Sequence, residues 1–289
     1  MTFHLISLVD PSLGRIDKSS ISQQTLMELL VDKIVNKEIL CGDTENPKDI
    51  SQWRSRIDLN NAREVIGIDW SGEGLEGTIE LQWLPDTCIR IRVAYNQLEG
   101  VVNFSALPPS LESLELTRSL FDTSLDFDAL PRGIHLVNLS GNRFTGEVSL
   151  TNLPKSLIFL HLGENAFFGT VNLERLPNNL EELFLHENNF CGEVSFKHLP
   201  QSLWILSLDT NTFSGPLDLI GLSPTIEEIY LSKNRFVGTT DFSQLSMSLQ
   251  VLEVADLEIH GEIRVPVNVR DGGLLVDAKN SPNVIVHGE

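Results

Sequence analysis

Two histidines are the side chains best placed to do chemistry in this sequence of 289 residues. A 23-residue period places His161 and His186 on the same face of adjacent predicted strands. Two such imidazoles can bind a metal ion or exchange protons near neutral pH, and Glu164 and Glu187 lie close to them in the sequence. The alternative is that both histidines belong to an ordinary exposed surface column.

The cysteines do not form a recognisable framework. They are Cys41, Cys88 and Cys191. Their odd number and uneven placement argue against disulfides, and none has the spacing of a zinc site. Cys191, which lies near a predicted turn, is either an exposed reactive thiol or an incidental one. Cys88 occupies a leucine position of the 23-residue period and is predicted to lie in the core.

Motifs of common catalytic sites are absent from the sequence. It contains no GxSxG, HExxH or GxxxxGK, and no GxGxxG at a strand-to-helix junction. We therefore predict no catalysis, no metal and no cofactor. A metal- or thiol-dependent enzyme that uses His161, His186 or Cys191 is kept as the alternative of another class.

The chain is strongly acidic, with a formal net charge of −19. Residues 1–60 contribute −2 of this charge and residues 61–289 contribute −17. A negative surface repels phosphate groups, so no nucleic-acid partner is expected. The acids either solvate a long surface or create a field that attracts a basic partner.

The sequence carries no evident membrane or secretion signal. It has no apolar run of the roughly 18 residues that a membrane-spanning helix needs. Residues 1–10 lack the basic region and the long apolar region of a secretory signal. We therefore predict an intracellular, cytoplasmic protein without a membrane partner. The alternative, a secreted ligand receptor, would carry a cleaved signal or glycans.

A Leu-Pro pair recurs every 23 residues along most of the chain. The pairs begin at Leu84, Leu107, Leu130, Leu153, Leu176 and Leu199, and serine replaces proline after Leu222 and Leu245. Within each unit the pattern is LPxSLxxLxLxxNxFxGxVxLxx. A period of this length is typical of a solenoid, in which each unit buries its apolar layer only against its neighbours.

The positions of the repeat match parts of one coil. Both leucines of Leu-x-Leu point to one side of a short strand, and stacked units place these strands in a parallel sheet. The Val-x-Leu segment is predicted to form a strand on a second face. The phenylalanine position predicts an aromatic spine. Its members are Phe121, Phe144, Phe167, Phe190, Phe213 and Phe236, with Leu98 and Ile259 at the ends.

The asparagine position predicts a ladder of buried side-chain hydrogen bonds where the chain leaves each strand. Its members are Asn96, Asn142, Asn165, Asn188, Asn211 and Asn234. Ser119 and Leu257 take the asparagine position in two units. The ladder is therefore predicted to be weaker at these two points.

The pattern LxxLxLxxN resembles the leucine-rich repeat, and its continuation NxFxGxV resembles the repeats of plant receptors and of unicellular-eukaryote repeat proteins. The resemblance covers residues 61–267, with one capping unit and eight full units. It implies an α/β-type solenoid, a right-handed superhelix with a parallel concave β-sheet and mostly β and turn structure on the convex side. It also implies protein binding by the concave face, without naming the partner.

Residues 1–60 do not follow the repeat and are predicted to form a helical N-terminal cap, because an open stack must seal its terminal core. A helix is expected over residues 22–39. The residues expected on its buried face are Leu26, Leu30 and Ile34.

A second helix of this cap is expected to start at Asn46 as N-cap, with Pro47 at its first position and Asp49 in its first turn. The residues expected on its inner face are Ile50, Trp53 and Ile57. Trp70 is expected to belong to the seal, and Trp53 is either part of it or an anchor for a partner. Residues 268–289 are predicted to close the other end with one irregular strand and a tail.

Apolar residues on the concave sheet need an explanation, because that face should be solvated. Contiguous exposed aromatics rimmed by acids are typical of a protein interface. The acids expected at the rim are Glu164, Glu181, Glu182, Glu187, Asp209, Glu227 and Glu228. The predicted protein-binding site on the concave face comprises Leu136, Phe159, His161, Glu182, Phe184, His186, Trp204, Ile205, Glu228 and Tyr230. The alternative is that some rings, especially Phe159 and Trp204, fold over the sheet and are buried locally.

These observations predict a non-catalytic protein–protein interaction module, an accessory or scaffold subunit that binds through its concave face. A soluble acidic inhibitor or recognition protein for a basic partner is the first alternative. The partner in both cases is another protein.

Overall fold

The structure, a computed structural model, describes residue 18 and residues 20–53, 56–220, 222–264 and 274–287. Within these ranges the chain winds into a solenoid whose turns follow the 23-residue period, and two parallel sheets run along it. This architecture confirms the predicted fold class. Secondary structure other than strand is limited to two short α-helices and four single 3₁₀ turns in the described ranges.

Twenty strands are described and numbered here in chain order. They are β1 (Arg56–Leu59), β2 (Val65–Asp69), β3 (Glu76–Thr78), β4 (Arg90–Arg92), β5 (Gln97–Glu99), β6 (Ser113–Glu115), β7 (Leu136–Asn138), β8 (Thr145–Glu147), β9 (Phe159–His161), β10 (Ala166–Gly169), β11 (Glu182–Phe184), β12 (Asn189–Gly192), β13 (Ile205–Ser207), β14 (Thr212–Pro216), β15 (Glu228–Tyr230), β16 (Arg235–Thr239), β17 (Val251–Glu253), β18 (Glu258–Arg264), β19 (Leu275–Asp277) and β20 (Asn283–His287).

The Leu-x-Leu segments form an 11-stranded sheet, the concave sheet, in the order β1-β2-β4-β6-β7-β9-β11-β13-β15-β17-β19. Its repeat strands are parallel and in register, so that Glu182 pairs with Phe159 on one side and with Ile205 on the other. The second sheet has seven strands in the order β20-β18-β16-β14-β12-β10-β8, and β3 pairs with β5.

The strands of the second sheet begin earlier in the repeat than predicted. β10 and β12 include the Phe-x-Gly segment rather than Val-x-Leu, and Val171 and Leu173 are buried without belonging to a strand. Gly169, the last residue of β10, has a φ of +88°, a conformation that favours glycine. The side chains of Val171 and Leu173 pack inward beyond the end of β10.

The predicted aromatic spine is confirmed. Its six phenylalanines are fully buried, and successive ring centroids lie 5.9–6.4 Å apart with interplanar angles of 3–13°. Each of the four inner rings is stacked between the rings of the two neighbouring turns. A single phenylalanine therefore contributes to the packing of three turns.

The predicted asparagine ladder is also confirmed, and Asn188 shows its geometry. Its Oδ1 accepts a hydrogen bond from the backbone N–H of Phe167 at 3.0 Å. Its Nδ2 donates to the carbonyls of Leu162, Leu185 and His186 at 3.0–3.2 Å. One buried amide thus satisfies backbone groups of two turns at the point where no sheet bond is available.

The ladder changes at the two predicted positions. Ser119 is buried, and its hydroxyl has no hydrogen-bond partner. The apolar side chain of Leu257 makes no such bond, and Ser281 of the next turn accepts from the Leu257 N–H at 2.9 Å. Ser281 also donates to the Val254 carbonyl at 2.7 Å, so a hydroxyl replaces the amide at this end.

A second ladder runs along the turn that follows each Leu-Pro pair. The hydroxyl of Ser156 donates to the carbonyls of Ile134 and Arg132 in the preceding turn, at 2.6 and 2.9 Å. Ser110, Ser202, Thr225 and Ser248 make the corresponding bonds. The serine of the LPxS motif therefore joins successive turns where proline cannot donate.

The first cap helix is shorter than predicted. α1 (Gln23–Val31) is capped by Ser22, whose hydroxyl accepts a hydrogen bond from the Thr25 N–H at 3.1 Å. α2 (Glu38–Cys41) is a separate helix. Between them Val35 donates to the Glu76 carbonyl at 2.8 Å, and Thr78 donates to the Lys33 carbonyl at 3.1 Å. The segment between the helices pairs with β3, so its backbone is not available to continue the helix. Leu26, Leu30 and Ile34 are all buried, as predicted.

The second cap helix was predicted wrongly. Asp43 accepts from the Asn46 N–H, and the helical structure in the described residues 47–53 is one 3₁₀ turn, Ile50–Gln52, with Asp49 as its N-cap. Trp53 is buried, and its ring centroid lies 6.2 Å from that of Trp70. Its Nε1 donates a hydrogen bond to the Lys48 carbonyl at 2.8 Å. Trp53 therefore belongs to the seal and is not an exposed anchor. Ile57 lies in β1, which pairs antiparallel with β2.

The C-terminal turn has two strands instead of the single strand expected. β19 extends the concave sheet and β20 extends the second sheet. Residues 1–17, 265–273 and 288–289 lie outside the described residues, so the predictions that concern them are not addressed. Within the described ranges no helix has the length and apolar character to cross a bilayer.

Candidate binding surface on the concave sheet

The repeat strands of the concave sheet present two outward columns of side chains, one on each side of the buried central leucine. In β9 and β11 the outer residues are half-buried and the central residue is fully buried. The parallel register aligns each column across turns, for example His161 with Phe184. Neighbouring outward side chains are therefore close enough to form one surface.

Four rings form a continuous row on this surface, named here the aromatic row (Phe159, His161, Phe184 and His186). His161 stacks on Phe184 with centroids 4.4 Å apart. Phe159 meets His161 edge-on at 6.4 Å, and Phe184 meets His186 edge-on at 5.9 Å. All four side chains are half-buried, so one side of the row remains open to a ligand.

The imidazole of His161 is fixed by Glu182. Its Nε2 lies 2.8 Å from Oε2 of Glu182, within hydrogen-bond distance, and both side chains are 17% exposed. Burial lowers the pKa of His161 below the usual 6.5, although the hydrogen bond to Glu182 opposes this shift. Glu182 was expected in an acidic rim, and the structure places it inside the row as the partner of His161.

His186 has a different environment. Its ring packs directly against the backbone of Gly163, where any larger residue would collide with the imidazole. Its Nδ1 is buried and has no hydrogen-bond partner. Both imidazoles contact the Phe184 ring, and in the described part of the chain no group of three His, Cys, Asp or Glu residues is arranged to hold a metal ion.

Tyr230 lies two strands beyond Phe184, and its hydroxyl donates to Oε2 of Glu228 at 2.7 Å. Burial, the hydrogen bond to Glu228, and the charges of Glu253 and Asp209 raise the pKa of Tyr230. The hydroxyl is therefore protonated at neutral pH. The carboxylates of Glu228, Glu253 and Asp209 give this part of the surface a negative charge.

The acidic end of the surface follows Tyr230. Burial and the nearby carboxylates of Asp209 and Asp277 raise the pKa of Glu253, and Lys233 opposes the shift. One surface depression is lined by Asp209, Lys233, Glu253, Asp277 and Lys279. We name Asp209, Glu253 and Asp277 the acidic trio.

The opposite end of the sheet is electrically balanced. Arg90 pairs with Asp58 at 2.6 Å, and Arg92 lies 3.4 Å from Glu115. Because its arginines already have carboxylate partners, this end has little excess charge. The concave surface thus changes from balanced charge through aromatic rings to net negative charge.

One residue of the predicted site differs from the expected exposed anchors. Ile205 is 8% exposed and therefore buried. Leu136 and Trp204 are half-buried, like the four rings of the aromatic row. The prediction that Ile205 is an exposed anchor was wrong. The remaining predicted residues all lie on the outward columns or directly beside them.

Asp209 was expected in the acidic rim of the site, whereas Glu253 and Asp277 of the acidic trio were not predicted for the site. Glu253 follows Tyr230 by one period in the same column, which is the available sequence signal. Asp209 and Asp277 become its neighbours only through the stacking of turns. Their mutual effect on the pKa of Glu253 therefore requires the structure.

The three cysteines are expected to differ in thiol reactivity. A thiol reagent is expected to modify Cys191 in the native protein and to leave Cys41 and Cys88 unreacted. Cys191 is half-buried, whereas the other two are fully buried, and burial raises the pKa of Cys88 to about 12. Titration before and after denaturation, followed by peptide mapping, checks this. Modification of Cys88 while the protein is folded would contradict the described packing.

The repeat, the two parallel sheets, the spine and the ladder define a leucine-rich-repeat solenoid. Neither the models of protein families nor the curated proteins match this chain. Among solved structures, the Arabidopsis receptor kinase HAESA in complex with the peptide hormone IDA and the co-receptor SERK1 is 19% identical with a TM-score of 0.61. That match covers 93% of this chain and 48% of the receptor chain, so this chain spans about half its length.

Two further structures show how widely the fold is used. A plant ice-binding protein is 18% identical with a TM-score of 0.55, over 83% of this chain and 80% of that chain. The functional domain of InlJ from Listeria monocytogenes is 12% identical with a TM-score of 0.54, over 76% of this chain and 54% of that chain. At these identities the likeness shows the fold alone.

Proposed function

We propose that this protein is a non-catalytic binding module whose concave sheet binds a segment of another protein. The observation that carries the proposal is the half-exposed aromatic row beside the acidic trio. The HAESA structure, which was solved with a peptide hormone, gives support by analogy of fold. An accessory or scaffold subunit remains the favoured role, and a recognition protein for a basic partner is the second candidate.

The aromatic row supplies the apolar part of the proposed contact. Phe184 has ring contacts with both histidines, so its position is fixed before a ligand binds. A preformed, half-exposed ring costs little conformational entropy on binding, which is why aromatic residues often dominate interface energies. An apolar or aromatic side chain of the partner is the expected counterpart.

The acidic trio supplies the electrostatic part. The raised pKa of Glu253 shows that its charged form is destabilised by burial and by Asp209 and Asp277. A lysine or arginine placed there by a partner would relieve this repulsion and form charge-assisted hydrogen bonds. The partner segment is therefore expected to carry a positive residue at the end nearest β17 and β19.

Alanine at Phe184 or at Tyr230 is expected to weaken partner binding by about 1 kcal/mol or more, without unfolding the protein. Both side chains are half-buried on the surface and neither belongs to the spine. The measurement is affinity purification from the native cell with the wild-type chain, identification of the partner, and titration of that partner with each variant.

Phe168→Ala is the matched control, because Phe168 is 46% exposed on the second sheet and lies outside the aromatic row. This variant is expected to bind the partner like the wild type. Equal affinity of all three variants would disprove the proposed surface. A steep loss of affinity with salt would favour the basic partner, whereas weak salt dependence would favour an apolar contact in a fixed assembly.

The pKa of His161 predicts a pH effect on stability. Because the folded pKa lies below 6.5, the unfolded state binds more protons than the folded state in the window below that value. The free energy of unfolding is therefore expected to fall as the pH is lowered through this window. Urea unfolding at several pH values, with His161→Phe as the comparison, isolates the contribution. An identical pH dependence of both proteins would show that His161 does not titrate as described.

A further inference from the structure

Gly163 lies beside the aromatic row and has no side chain of its own. It follows Leu162, the second leucine of its Leu-x-Leu segment. It also lacks a positive φ, the conformation that favours glycine at points such as Gly141, where φ is +70°. The other full units carry a side chain at the position of Gly163, namely Ala94, Thr117, Ser140, His186, Asp209, Ser232 and Ala255. The backbone therefore does not require glycine here, and the reason lies in the space around it.

The imidazole of His186 fills that space. A Cβ atom placed on Gly163 would lie 2.8 Å from Nδ1 and 2.5 Å from Nε2 of His186, and closer still to Cε1. Non-bonded heavy atoms pack best at about 3.5 Å or more. A side chain at residue 163 and the imidazole in its present position therefore exclude each other.

Packing holds the His186 ring in place. Its Nδ1 is buried without a hydrogen-bond partner, and its Nε2 makes no hydrogen bond to the described residues. The ring contacts the Gly163 backbone, and it meets the Phe184 ring edge-on at 5.9 Å. His161 differs, because its Nε2 lies within hydrogen-bond distance of Glu182. The position of His186 therefore depends on the space that Gly163 leaves.

His186 in turn supports Phe184. The Phe184 ring stacks on His161 with centroids 4.4 Å apart, and its other ring contact is the edge of His186. Without the second contact Phe184 keeps one ring neighbour and gains rotational freedom. A ring that is ordered before a partner binds loses less conformational entropy in the complex.

We propose that Gly163 is a positioning residue of the binding surface: it seats His186 against Phe184 and so fixes the aromatic row before a partner binds. This role rests on the proposed function of the concave sheet. Gly163 does not contact the partner in this account, and it acts through His186 alone. A methyl group at residue 163 displaces the imidazole and leaves Phe184 less ordered.

Gly163→Ala tests the seat in the free protein, with Gly133→Ala as the matched control. Gly133 also lacks a positive φ, and no atom lies within 4 Å of a Cβ added there. The measurement is the NMR signals of the imidazoles, in which the His186 signals are assigned by their loss in His186→Ala. Gly163→Ala is expected to shift the His186 signals and to leave those of the exposed His198 in place. Unchanged His186 signals would overturn the proposal without reference to any partner.

Affinity for the captured partner tests the consequence. Gly163→Ala is expected to raise the dissociation constant about fivefold, because the row must then be ordered on binding. Gly133→Ala is expected to bind like the wild type. If Phe184→Ala weakens binding and Gly163→Ala does not, the positioning role is wrong and the proposed function stands. If Phe184→Ala has no effect either, the proposed function itself fails.

A double-mutant cycle separates positioning from a general loss of structure. In the His186→Ala background the imidazole is gone, so an added methyl group at residue 163 collides with nothing on the ring. Gly163→Ala is therefore expected to have no further effect on the dissociation constant in that background. An equal rise in both backgrounds would show that residue 163 acts through the backbone or through stability, and would overturn the role assigned to His186.

Urea unfolding followed by circular dichroism completes the comparison. Because the group that must move is the free end of a side chain, Gly163→Ala is expected to unfold at nearly the same urea concentration as Gly133→Ala. A large drop in the unfolding midpoint for Gly163→Ala alone, retained in the His186→Ala background, would contradict the proposal.

Discussion

Replacing Phe167 with alanine is expected to lower the free energy of unfolding by about 4 kcal/mol. The ring is fully buried and lies 6.1 Å from Phe144 and 6.3 Å from Phe190 in the spine. It also meets Phe127 edge-on at 6.3 Å. Its removal leaves a cavity that three neighbouring rings border, and the fixed period of the turns prevents the walls from closing it.

Phe168→Ala is a control in the adjacent residue. Phe168 is 46% exposed on the outer face of β10, so its truncation is expected to change the free energy of unfolding by less than about 1 kcal/mol. Urea denaturation followed by circular dichroism measures both variants. If the two substitutions lower the free energy of unfolding equally, residues 167 and 168 do not differ in burial as described, and the spine does not organise the core.

Replacing Asn188 with alanine is expected to lower the free energy of unfolding by about 3 kcal/mol. The substitution removes four hydrogen bonds at 3.0–3.2 Å and leaves the Phe167 N–H and three carbonyls without the amide. These groups are buried or partly buried, so water does not fully replace the amide. Asn178, which is exposed, provides the control, and Asn178→Ala is expected to leave the free energy of unfolding nearly unchanged.

The converse substitution tests the same ladder in the opposite direction. Ser119 occupies the asparagine position, and its hydroxyl is buried without a partner. Ser119→Asn is expected to raise the free energy of unfolding by about 1 kcal/mol, because the amide reaches backbone groups that the shorter hydroxyl does not. A loss of stability would show that the local backbone has adapted to serine and no longer offers the ladder positions.

The periodic part of the fold was predictable because its physical causes repeat. Leu160, Asn165 and Phe167 take the same environment as their equivalents one turn away, so a single pattern fixes strand, ladder and spine at once. The cap lacks this redundancy. The end of α1 is set by pairing of the Lys33–Val35 segment with β3, a contact between distant parts of the chain that helical periodicity does not reveal.

The candidate site was predictable as a set of columns and not as a set of contacts. The period correctly placed His161, Phe184 and Tyr230 on outward columns. It did not reveal that Glu182 lies within hydrogen-bond distance of His161 or that Ile205 is buried. Those outcomes depend on side-chain length and direction across strands, which vary from turn to turn while the backbone repeats.

The most direct test of the central claim is the hydrogen-exchange footprint of the captured partner on this protein. If the concave sheet is the binding surface, the complex is expected to show added protection in β9, β11 and β15 and none in β10, β12 and β16 of the second sheet. Protection confined to the second sheet, with exchange in the concave strands unchanged, would contradict the account.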